Sequence, residues 1–516
     1  MTRLPRGTTT YIATGMGLAA TLLHAFAALR YGYYRDELYF IACAQHLAWG
    51  YPDQPPLVAV TAWLAGPFGY ALLAVRGFPI LAAGGAVAAT CLVARELGGN
   101  RIAVVLAGLL ALLLPTSLFL GSTLTTTSFE PLTWTLAIWL VLRIARGDDS
   151  RLWYAVAVVT AFSLYGKYSI VLLLVALKIG LLLTPQRRIL YDRRLIAACV
   201  LALVLVLPNL MWQISHGLPF LAVMHEDIVG RQAFNSGVSF ESADLVRNAG
   251  LFLGEQLLFA NLFALPIWIL GVVALLRGGS FSAARFLGVA FLVLLVIALA
   301  LAAKGYYIAG VYPALCAVGA VWLASLRLRW PVRVLGSVAV VGGIAFAPMF
   351  APFLDVSGLI AYQAALGIPP ARANPPHFVQ PLFAEEFGWN ELARRVGKAY
   401  ADLSAATRAR TAIFADTYGD AAALDFYGPR YGLPPAISGQ NAYYDWGPRN
   451  YDGSTVIAIG ASQQVQLRAV FRHVTLIETY LHPDRWSAEG PTPIWLCTDP
   501  IAPLAQLWPR FKWYGA

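Results

Sequence analysis

The stretch Tyr31-Gly-Tyr-Tyr-Arg-Asp-Glu-Leu-Tyr-Phe40 follows the first long apolar run, and Tyr51-Pro-Asp-Gln-Pro-Pro-Leu57 comes soon after it. Two adjacent carboxylates, Asp36 and Glu37, stand there among aromatic residues. Such a stretch is too polar for the interior of a bilayer, and aromatic residues of this density are typical of the membrane interface. We interpret it as the mouth of a catalytic cavity at the membrane surface, which the remaining apolar segments hold in place.

The rest of the chain is dominated by apolar segments. It has 516 residues, of which 59% are hydrophobic and 12% charged, and its mean hydropathy is +0.63, whereas roughly a quarter of a soluble protein is charged. The composition predicts a polytopic α-helical membrane protein with about eleven transmembrane helices. The predicted spans lie roughly at 11–30, 77–95, 102–120, 129–145, 152–166, 168–184, 195–211, 255–276, 286–303, 306–325 and 334–353.

The positive charges orient these spans. Arg3 and Arg6 precede the first span, and the later arginines are concentrated in alternate short loops. Because Lys and Arg are retained in cytoplasmic loops, the N-terminus is expected in the cytoplasm and the C-terminus outside. The net charge of +10 therefore reflects membrane topology, and no nucleic-acid partner is expected.

The composition changes near residue 354, where long apolar runs stop. We predict a transmembrane module over 1–353 and a soluble extracytoplasmic α/β domain over 354–516. Within the module, 31–75 is predicted as the first outer loop and 212–254 as a second, long one. The first loop is expected to hold interfacial helices at 35–48 and 57–68. In the C-terminal part we predict a helix over Trp389–Leu403 and short strands at Thr411–Ala415, Thr455–Ile459, Val474–Glu478 and Pro493–Cys497.

Several familiar sites are absent from the sequence. There is no GxGxxG, no P-loop and no GxSxG motif, so neither a nucleotide site nor a serine-hydrolase site is indicated. The five cysteines are scattered, without a CxxC pair, and indicate neither a disulfide framework nor a cysteine-based metal site.

The paired carboxylates are the first candidates for chemistry. A carboxylate beside lipid is costly unless it has a partner or a function. The functional interpretation makes Asp36 a general base that takes a proton from an acceptor hydroxyl or amine, with Glu37 beside it. The alternative is an interfacial pair that is solvated by headgroup water or paired with Arg35.

Two further acids, Asp53 and Glu130, are candidate cavity residues. Asp53 precedes Pro-Pro in a predicted turn, and Glu130 opens a predicted span at the outer surface. Together they supply oxygen ligands of the kind that a divalent cation prefers. The alternatives are an ordinary turn at Asp53 and a helix cap with a favourable dipole contact at Glu130.

A cationic element, Lys304-Gly-Tyr-Tyr-Ile308, lies between two predicted spans. Its ammonium and its two phenols, Tyr306 and Tyr307, suit a lipid phosphate at headgroup depth. The alternative is a lysine that only extends its charge to the interface. Lys167 with Tyr168 forms a second element of this kind, and Arg231 is a candidate from the long loop.

These motifs, in this order relative to the spans, resemble the GT-C glycosyltransferases, and in particular the bacterial branch related to protein O-mannosyltransferases and to the aminoarabinose transferases of lipid A. The Asp-Glu pair, the Pro-Pro-Leu turn, the acidic residue that opens a later span and the Lys-x-Tyr-Tyr element carry the resemblance. Two later stretches also resemble this branch: Tyr418-Gly-Asp-Ala-Ala-Ala-Leu-Asp-Phe-Tyr-Gly428, and Leu433-Pro-Pro-Ala-Ile-Ser-Gly-Gln-Asn-Ala-Tyr443 with Trp446-Gly-Pro448.

The resemblance implies a polyprenyl-phosphate-sugar donor, an inverting transfer and an active site on the outer face. Asp36 matches the proposed catalytic base and Glu37 its neighbour. Asp53 and Glu130 match acidic positions that are candidate ligands of a divalent cation, Mg, Mn or Zn. Gln54 departs from the pattern, because the aminoarabinose transferases carry a lysine there that contacts phosphate. The departure shifts the phosphate assignment to lysines elsewhere and argues against aminoarabinose as the sugar.

The resemblance also sets the remaining expectations. The partners would be membrane lipids, the lipid-linked sugar and an envelope acceptor, which is lipid A or lipopolysaccharide, another glycan or a protein. The location would be a bacterial inner membrane, crossed several times. We expect Asp36 to face a cationic pocket that includes Lys304. The remaining candidate cavity residues are Tyr34, Tyr39, Gln54 and Tyr168. The rival interpretations are a transporter or lipid-carrier flippase, and a non-catalytic membrane assembly protein.

Overall fold

The computed structural model describes residues 5–226, 242–301, 303–369, 379, 381–460, 467–485 and 491–515. Its internal contacts group the chain into two compact units. The first unit comprises Met1–Leu29, Arg76–Trp212 and Ile228–Phe353. The second comprises Arg30–Val75, Gln213–Asp227 and Leu354–Ala516. The predicted first outer loop therefore groups with the C-terminal part of the chain.

The described residues up to 353 are mostly helical. Six of their helices are long and apolar enough to cross a membrane, or up to eight if each of two bent pairs is one span. This confirms a multi-pass helical architecture, while the number of about eleven spans stays a prediction. The α-helices are Arg6–Ala27, Arg35–Gln45, Leu57–Ala65, Leu72–Glu96, Arg101–Leu112, Pro115–Leu120, Glu130–Ala145, Leu152–Gly166, Ile170–Leu182, Arg193–Ser215, Ser242–Phe259, Leu265–Arg277, Arg285–Ala300, Tyr312–Ser325 and Arg329–Phe346.

The prediction of a single helix over 255–276 was wrong. The chain bends by 88° between Arg247–Phe259 and Leu262–Arg277. Asn261 at the bend has a φ of 63°, and its side chain accepts a hydrogen bond from the Phe263 amide at 3.1 Å. Asparagine tolerates this left-handed conformation and replaces helical hydrogen bonds locally. Hydropathy is insensitive to such a bend, because the residues on both sides of it are equally apolar.

Close helix packing stabilises the first unit. Helices Leu265–Arg277 and Tyr312–Ser325 approach so closely that a Cβ atom on Gly271 would lie 2.7 Å from the Cα atom of Gly319. Small residues permit this approach, which membrane helices use in the absence of a hydrophobic driving force. Trp134 is completely buried in the same core.

The C-terminal residues form a mixed sheet with surrounding helices. Five strands are described: β1 Thr411–Ala415, β2 Ala436–Ser438, β3 Thr455–Ile459, β4 Phe471–Tyr480 and β5 Thr492–Pro500. All four predicted strands are present, with longer bounds for β4 and β5, whereas β2 was not predicted. The helices after residue 353 are Val356–Ala365, Pro381–Ala384, Trp389–Ala401, Ala405–Arg408, Tyr418–Tyr427, Asn441–Trp446 and Leu504–Leu507.

The strand order is β2-β1-β3-β5-β4. β1 pairs in parallel with both β2 and β3, and β5 pairs antiparallel with β3 and β4. Helix Tyr418–Tyr427 connects the parallel strands β1 and β2. The carboxyl ends of β1 and β2 consequently lie side by side at one edge of the sheet, which is where open α/β sheets commonly bind ligands.

Candidate active site

Asp36 lies at the start of helix Arg35–Gln45 and is held by two donors. The Tyr418 hydroxyl donates to its Oδ1 atom at 2.8 Å, and Arg35 Nε donates to the same atom at 3.2 Å. Arg35 Nη1 also lies 3.2 Å from Glu385 Oε1, so one guanidinium bridges two carboxylates. The predicted base is thus paired with Arg35, as the non-catalytic alternative supposed, but it is also fixed by a third residue from the C-terminal part of the chain.

The sheet explains how distant residues reach this helix. Tyr418 follows the carboxyl end of β1 and Asn441 follows that of β2, and Gln440 Oε1 accepts a hydrogen bond from the Tyr418 amide at 2.7 Å. Gly419 allows the close approach of Arg35, because a Cβ atom there would lie 2.5 Å from Arg35 Cγ. The two C-terminal stretches that carried the resemblance therefore contribute contacts to the acidic segment.

Asp53 is held by a second group of hydrogen bonds in the same unit. Its Oδ1 accepts from the Tyr39 hydroxyl at 3.0 Å, and its Oδ2 accepts from Asn441 Nδ2 at 3.1 Å. The Tyr39 hydroxyl in turn accepts from the Ala442 amide at 3.2 Å. Tyr39 is thus engaged structurally as well as being a candidate cavity residue. Burial raises the pKa of Asp53 to about 7, although the Tyr39 hydrogen bond opposes the increase.

This raised pKa predicts a pH-dependent stability. Between the ordinary value of 3.8 and about 7, the folded protein binds a proton at Asp53 that the unfolded chain releases. The free energy of unfolding should therefore fall as pH rises through this range and level off above it. We expect Asp53→Asn, which carries no charge, to flatten the dependence of Tm on pH between about pH 4 and about pH 7. Equal slopes for the wild-type and variant proteins would contradict the assignment.

Glu37, predicted as a catalytic neighbour of Asp36, is completely buried. Its Oε2 accepts a hydrogen bond from the Tyr34 amide at 2.9 Å. This is the reciprocal bond of a helix cap, in which the third helical residue reaches back to the residue before the helix. The contact gives Glu37 a structural role, and its catalytic role stays a prediction.

The side chains of Tyr34 and Gln54 have different surroundings. Tyr34 interacts through its hydroxyl with Glu385, and burial, followed by the charges of Glu385 and Asp36, raises the pKa of Tyr34. Gln54 is buried, with 2% of its surface exposed, and its Nε2 lies 3.5 Å from Cys43 Sγ. Tyr34 is therefore next to the acidic pair, whereas Gln54 packs inside the fold.

The first unit contains a cationic cluster around Lys167. Its ammonium donates to Thr127 Oγ1 at 2.8 Å and lies 4.5 Å from the ring centroids of both Tyr306 and Tyr307. A cation at this distance from aromatic rings is attracted by their negative faces. The structure thus brings Lys167 together with two other predicted phosphate-binding residues, Tyr306 and Tyr307, which are far from it in the sequence.

The backbone around Lys304 is held by helix Ser242–Phe259. Lys304 precedes the 3-10 turn Gly305–Val311, whose first amide, that of Gly305, donates to Glu255 Oε2 at 3.0 Å. Gln256 Nε2 donates to the Gly305 carbonyl at 3.0 Å, and Gln256 Oε1 accepts from the Tyr312 hydroxyl at 2.6 Å. These bonds fix the turn that carries the two tyrosines of the cationic cluster.

Glu130 and Tyr168 lie in the same unit as Lys167. Glu130 is 1% exposed, begins helix Glu130–Ala145 and accepts a hydrogen bond from Ser169. Its other oxygen has no hydrogen-bond partner among the described residues. The Tyr168 hydroxyl donates to Asn209 Oδ1 at 2.7 Å. Arg231, the remaining candidate, lies outside the described residues.

The predicted metal ligands lie in different units, Asp53 in the second and Glu130 in the first. Both oxygens of Asp53 already accept hydrogen bonds. In the described ranges, no group of three or more His, Cys, Asp or Glu side chains is placed to hold a metal ion. The cation therefore stays a prediction. The common groove of Asp36 and Lys304 also stays a prediction, since these two residues belong to different units.

Sequence reasoning missed the residues that support the candidates. Glu385, Thr127 and Gln256 are far in sequence from the side chains that they contact, and none lies in a recognisable motif. Tyr418 and Asn441 could have been found, because both occur in stretches that resemble the family. The resemblance marked these stretches without indicating which acids they contact.

Two comparisons with known proteins agree with this arrangement. The family model for dolichyl-phosphate-mannose-protein mannosyltransferase matches residues 53–212. The crystal structure of ArnT from Cupriavidus metallidurans bound to undecaprenyl phosphate covers 93% of this chain and 97% of its own, with a TM-score of 0.57 and 16% identity. The chain has the GT-C fold. The apo structure of the same ArnT gives a TM-score of 0.55 at 15% identity over the same shares of both chains.

The GT-C fold confirms the predicted fold class, a multi-pass helical membrane protein with a C-terminal sheet domain. The family match and the GT-C fold together indicate a glycosyltransferase, and they confirm the resemblance that the sequence motifs carried. No curated protein matches the chain significantly.

Proposed function

We propose that this chain is an inverting glycosyltransferase that moves a sugar from a polyprenyl-phosphate carrier to an envelope acceptor outside the bacterial inner membrane. The acceptor is lipid A or lipopolysaccharide, another glycan or a protein. The observation that carries the proposal is the fixed carboxylate of Asp36, held by Tyr418 and Arg35 in a chain with the GT-C fold. The undecaprenyl phosphate bound to the ArnT of similar fold supports the class of donor.

In the proposed reaction, Asp36 acts as the base and the cationic residues bind the phosphate. In the second unit, Asp36 removes the proton of the acceptor as the acceptor oxygen or nitrogen forms a bond with the anomeric carbon. The bond between that carbon and the phosphate oxygen breaks, and the phosphate leaves with the electron pair. Attack opposite the leaving group inverts the anomeric centre through an oxocarbenium-like transition state. In the first unit, Lys167 and Lys304 stabilise the charge of the departing phosphate.

The chemistry explains why the carrier is a lipid. Nucleotide sugars remain in the cytoplasm, so a transfer outside requires a donor that has already crossed the membrane on a lipid. The leaving group is a phosphate, which departs without a general acid when a cation stands beside it. A mechanism without a general acid agrees with the candidate residues of this chain, which are one general base and a cationic cluster.

The proposal is tested with the purified full chain in lipid nanodiscs. Undecaprenyl phosphate carrying a radiolabelled hexose or pentose is supplied, with envelope membranes from a deletion strain as acceptor. Label should move into a lipid A, glycan or protein fraction, and undecaprenyl phosphate should be released. Movement of the lipid carrier between leaflets without sugar transfer would instead support the flippase alternative and reject the transferase.

A further inference from the structure

Both hydrogen bonds to Asp36 fall on one of its two oxygens. Tyr418 and Arg35 donate to Oδ1 at 2.8 and 3.2 Å, and the described part of the chain offers no hydrogen bond to Oδ2. The Asp36 side chain is 26% exposed, so a substrate has access to it. We propose that Tyr418 is a positioning residue that fixes this carboxylate and leaves Oδ2 as the oxygen that takes the acceptor's proton. The inference deepens the proposed function and rests on it.

Tyr418 is itself rigidly placed. It is 4% exposed, its ring lies 4.6 Å from that of Tyr39, and its amide donates to Gln440. Burial is the largest cause that raises the pKa of Tyr418, with the charge of Asp36 acting in the same direction and that of Arg35 against it. The hydroxyl therefore stays protonated at neutral pH, where it serves as a hydrogen-bond donor.

Arg35 is fixed from the opposite side. Its Nη1 pairs with Glu385 Oε1 at 3.2 Å, and its amide donates to the Glu385 carbonyl at 3.1 Å. The guanidinium is planar with donors in fixed directions, so this second pairing restrains its rotation toward Oδ2 of Asp36. Glu385 is thus expected to act through Arg35. Tyr418 and Arg35 together occupy Oδ1 and define the orientation of the carboxylate.

A purely structural role makes a different prediction. If Tyr418 only ties helix Arg35–Gln45 to the C-terminal part of the chain, removal of its hydroxyl lowers stability and leaves the turnover of folded protein unchanged. If Tyr418 positions the base, kcat falls and the donor KM stays unchanged. Displacement of a reacting group by about 1 Å reduces rates roughly 100-fold, so the two roles are separable.

The chain offers a matched control in Tyr443. This residue is 1% exposed, and its hydroxyl donates to Asp425 Oδ2 at 2.8 Å, with no hydrogen bond to Asp36. Tyr418→Phe and Tyr443→Phe therefore remove the same chemical group from similar burial. Both variants should lose a comparable amount of thermal stability, whereas only Tyr418→Phe should affect the chemical step.

The experiment measures kcat, donor KM and Tm of both variants in nanodiscs. We expect Tyr418→Phe to lower kcat roughly 10- to 100-fold with donor KM within about 2-fold, and Tyr443→Phe to keep kcat within about 3-fold. The double variant Asp36→Asn with Tyr418→Phe should be no slower than Asp36→Asn alone, because both changes act on one group. Equal kcat values for the two single Tyr→Phe variants would overturn the assignment.

A second variant keeps the test decisive if Tyr418→Phe does not fold. Glu385→Gln retains the size of the side chain but weakens its hold on Arg35, and we expect kcat to fall roughly 3- to 10-fold at unchanged donor KM. A wild-type kcat in Glu385→Gln would then overturn the inference. Failure of the proposed function is recognised separately: the wild-type chain would transfer no sugar at all. A wild type that is active, with Asp36→Asn inactive and both positioning variants normal, rejects the positioning role alone.

Discussion

Asp36→Asn is expected to lower sugar transfer by roughly 10²- to 10⁴-fold, the range that a positioned general base contributes. The reason is geometric as well as chemical. An asparagine side chain retains an oxygen that accepts from Tyr418 and Arg35, so the local structure should persist. Its amide nitrogen replaces the second oxygen and accepts no proton. The loss should appear in kcat, because the donor phosphate is assigned to another part of the chain.

The measurement compares transfer rates and donor binding in nanodiscs. Asp402→Asn is the control, since this carboxylate is exposed at the end of helix Trp389–Ala401 and should leave the rate unchanged. A folded Asp36→Asn protein that transfers sugar at the wild-type rate would remove Asp36 from the mechanism. An unfolded variant is recognised by its Tm and would direct the experiment to Asp36→Glu, which moves the base by about one C–C bond and should also slow transfer.

The sequence made Asp36 recognisable, because a charged pair beside a long apolar run requires an explanation. It did not reveal what holds the carboxylate. Tyr418 and Glu385 lie several hundred residues further along the chain, and only folding of the C-terminal part of the chain brings them to helix Arg35–Gln45. Glu37 shows a second limit: it was predicted as a catalytic neighbour of Asp36, and the sequence did not reveal that it is completely buried as part of a helix cap.

The fold, like the candidate site, was predictable in part. Apolar length indicated a multi-pass helical protein, and short apolar runs identified strands such as β1 and β3, in which all five residues are buried. Hydropathy averages over many residues, so it missed the 88° bend at Asn261, where one residue changes the chain direction. β2 was missed because it has only three residues and follows Pro-Pro. These failures share one cause. Single residues and distant contacts determine such features, and they do not change the composition of a segment.

The cationic cluster also refines a prediction made from residue types. Tyr306 and Tyr307 were expected to bind phosphate through their hydroxyls, but each ring centroid lies 4.5 Å from the Lys167 ammonium. Ring faces, together with Thr127, therefore hold the cation at a fixed position. Tyr306→Phe and Tyr307→Phe preserve these ring faces. If the rings matter most, both variants should bind donor nearly as the wild type does.

Lys167→Ala should then raise the donor KM roughly 10- to 100-fold, because a hydrogen bond to a charged group contributes about 1.5–3 kcal/mol. Restraint by Thr127 and two rings means that little side-chain entropy is lost when the ammonium binds a phosphate, so its removal should cost more binding free energy than the removal of a flexible surface lysine.

Lys178→Ala is the control, since Lys178 is exposed on helix Ile170–Leu182 of the same unit. Lys304→Ala should act in the same direction, as a second cation near the phosphate. The decisive measurement is titration of undecaprenyl phosphate binding at low and high salt. Binding by Lys167→Ala that equals that of Lys178→Ala at both salt concentrations would assign the phosphate to other residues and leave Lys167 as a structural cation.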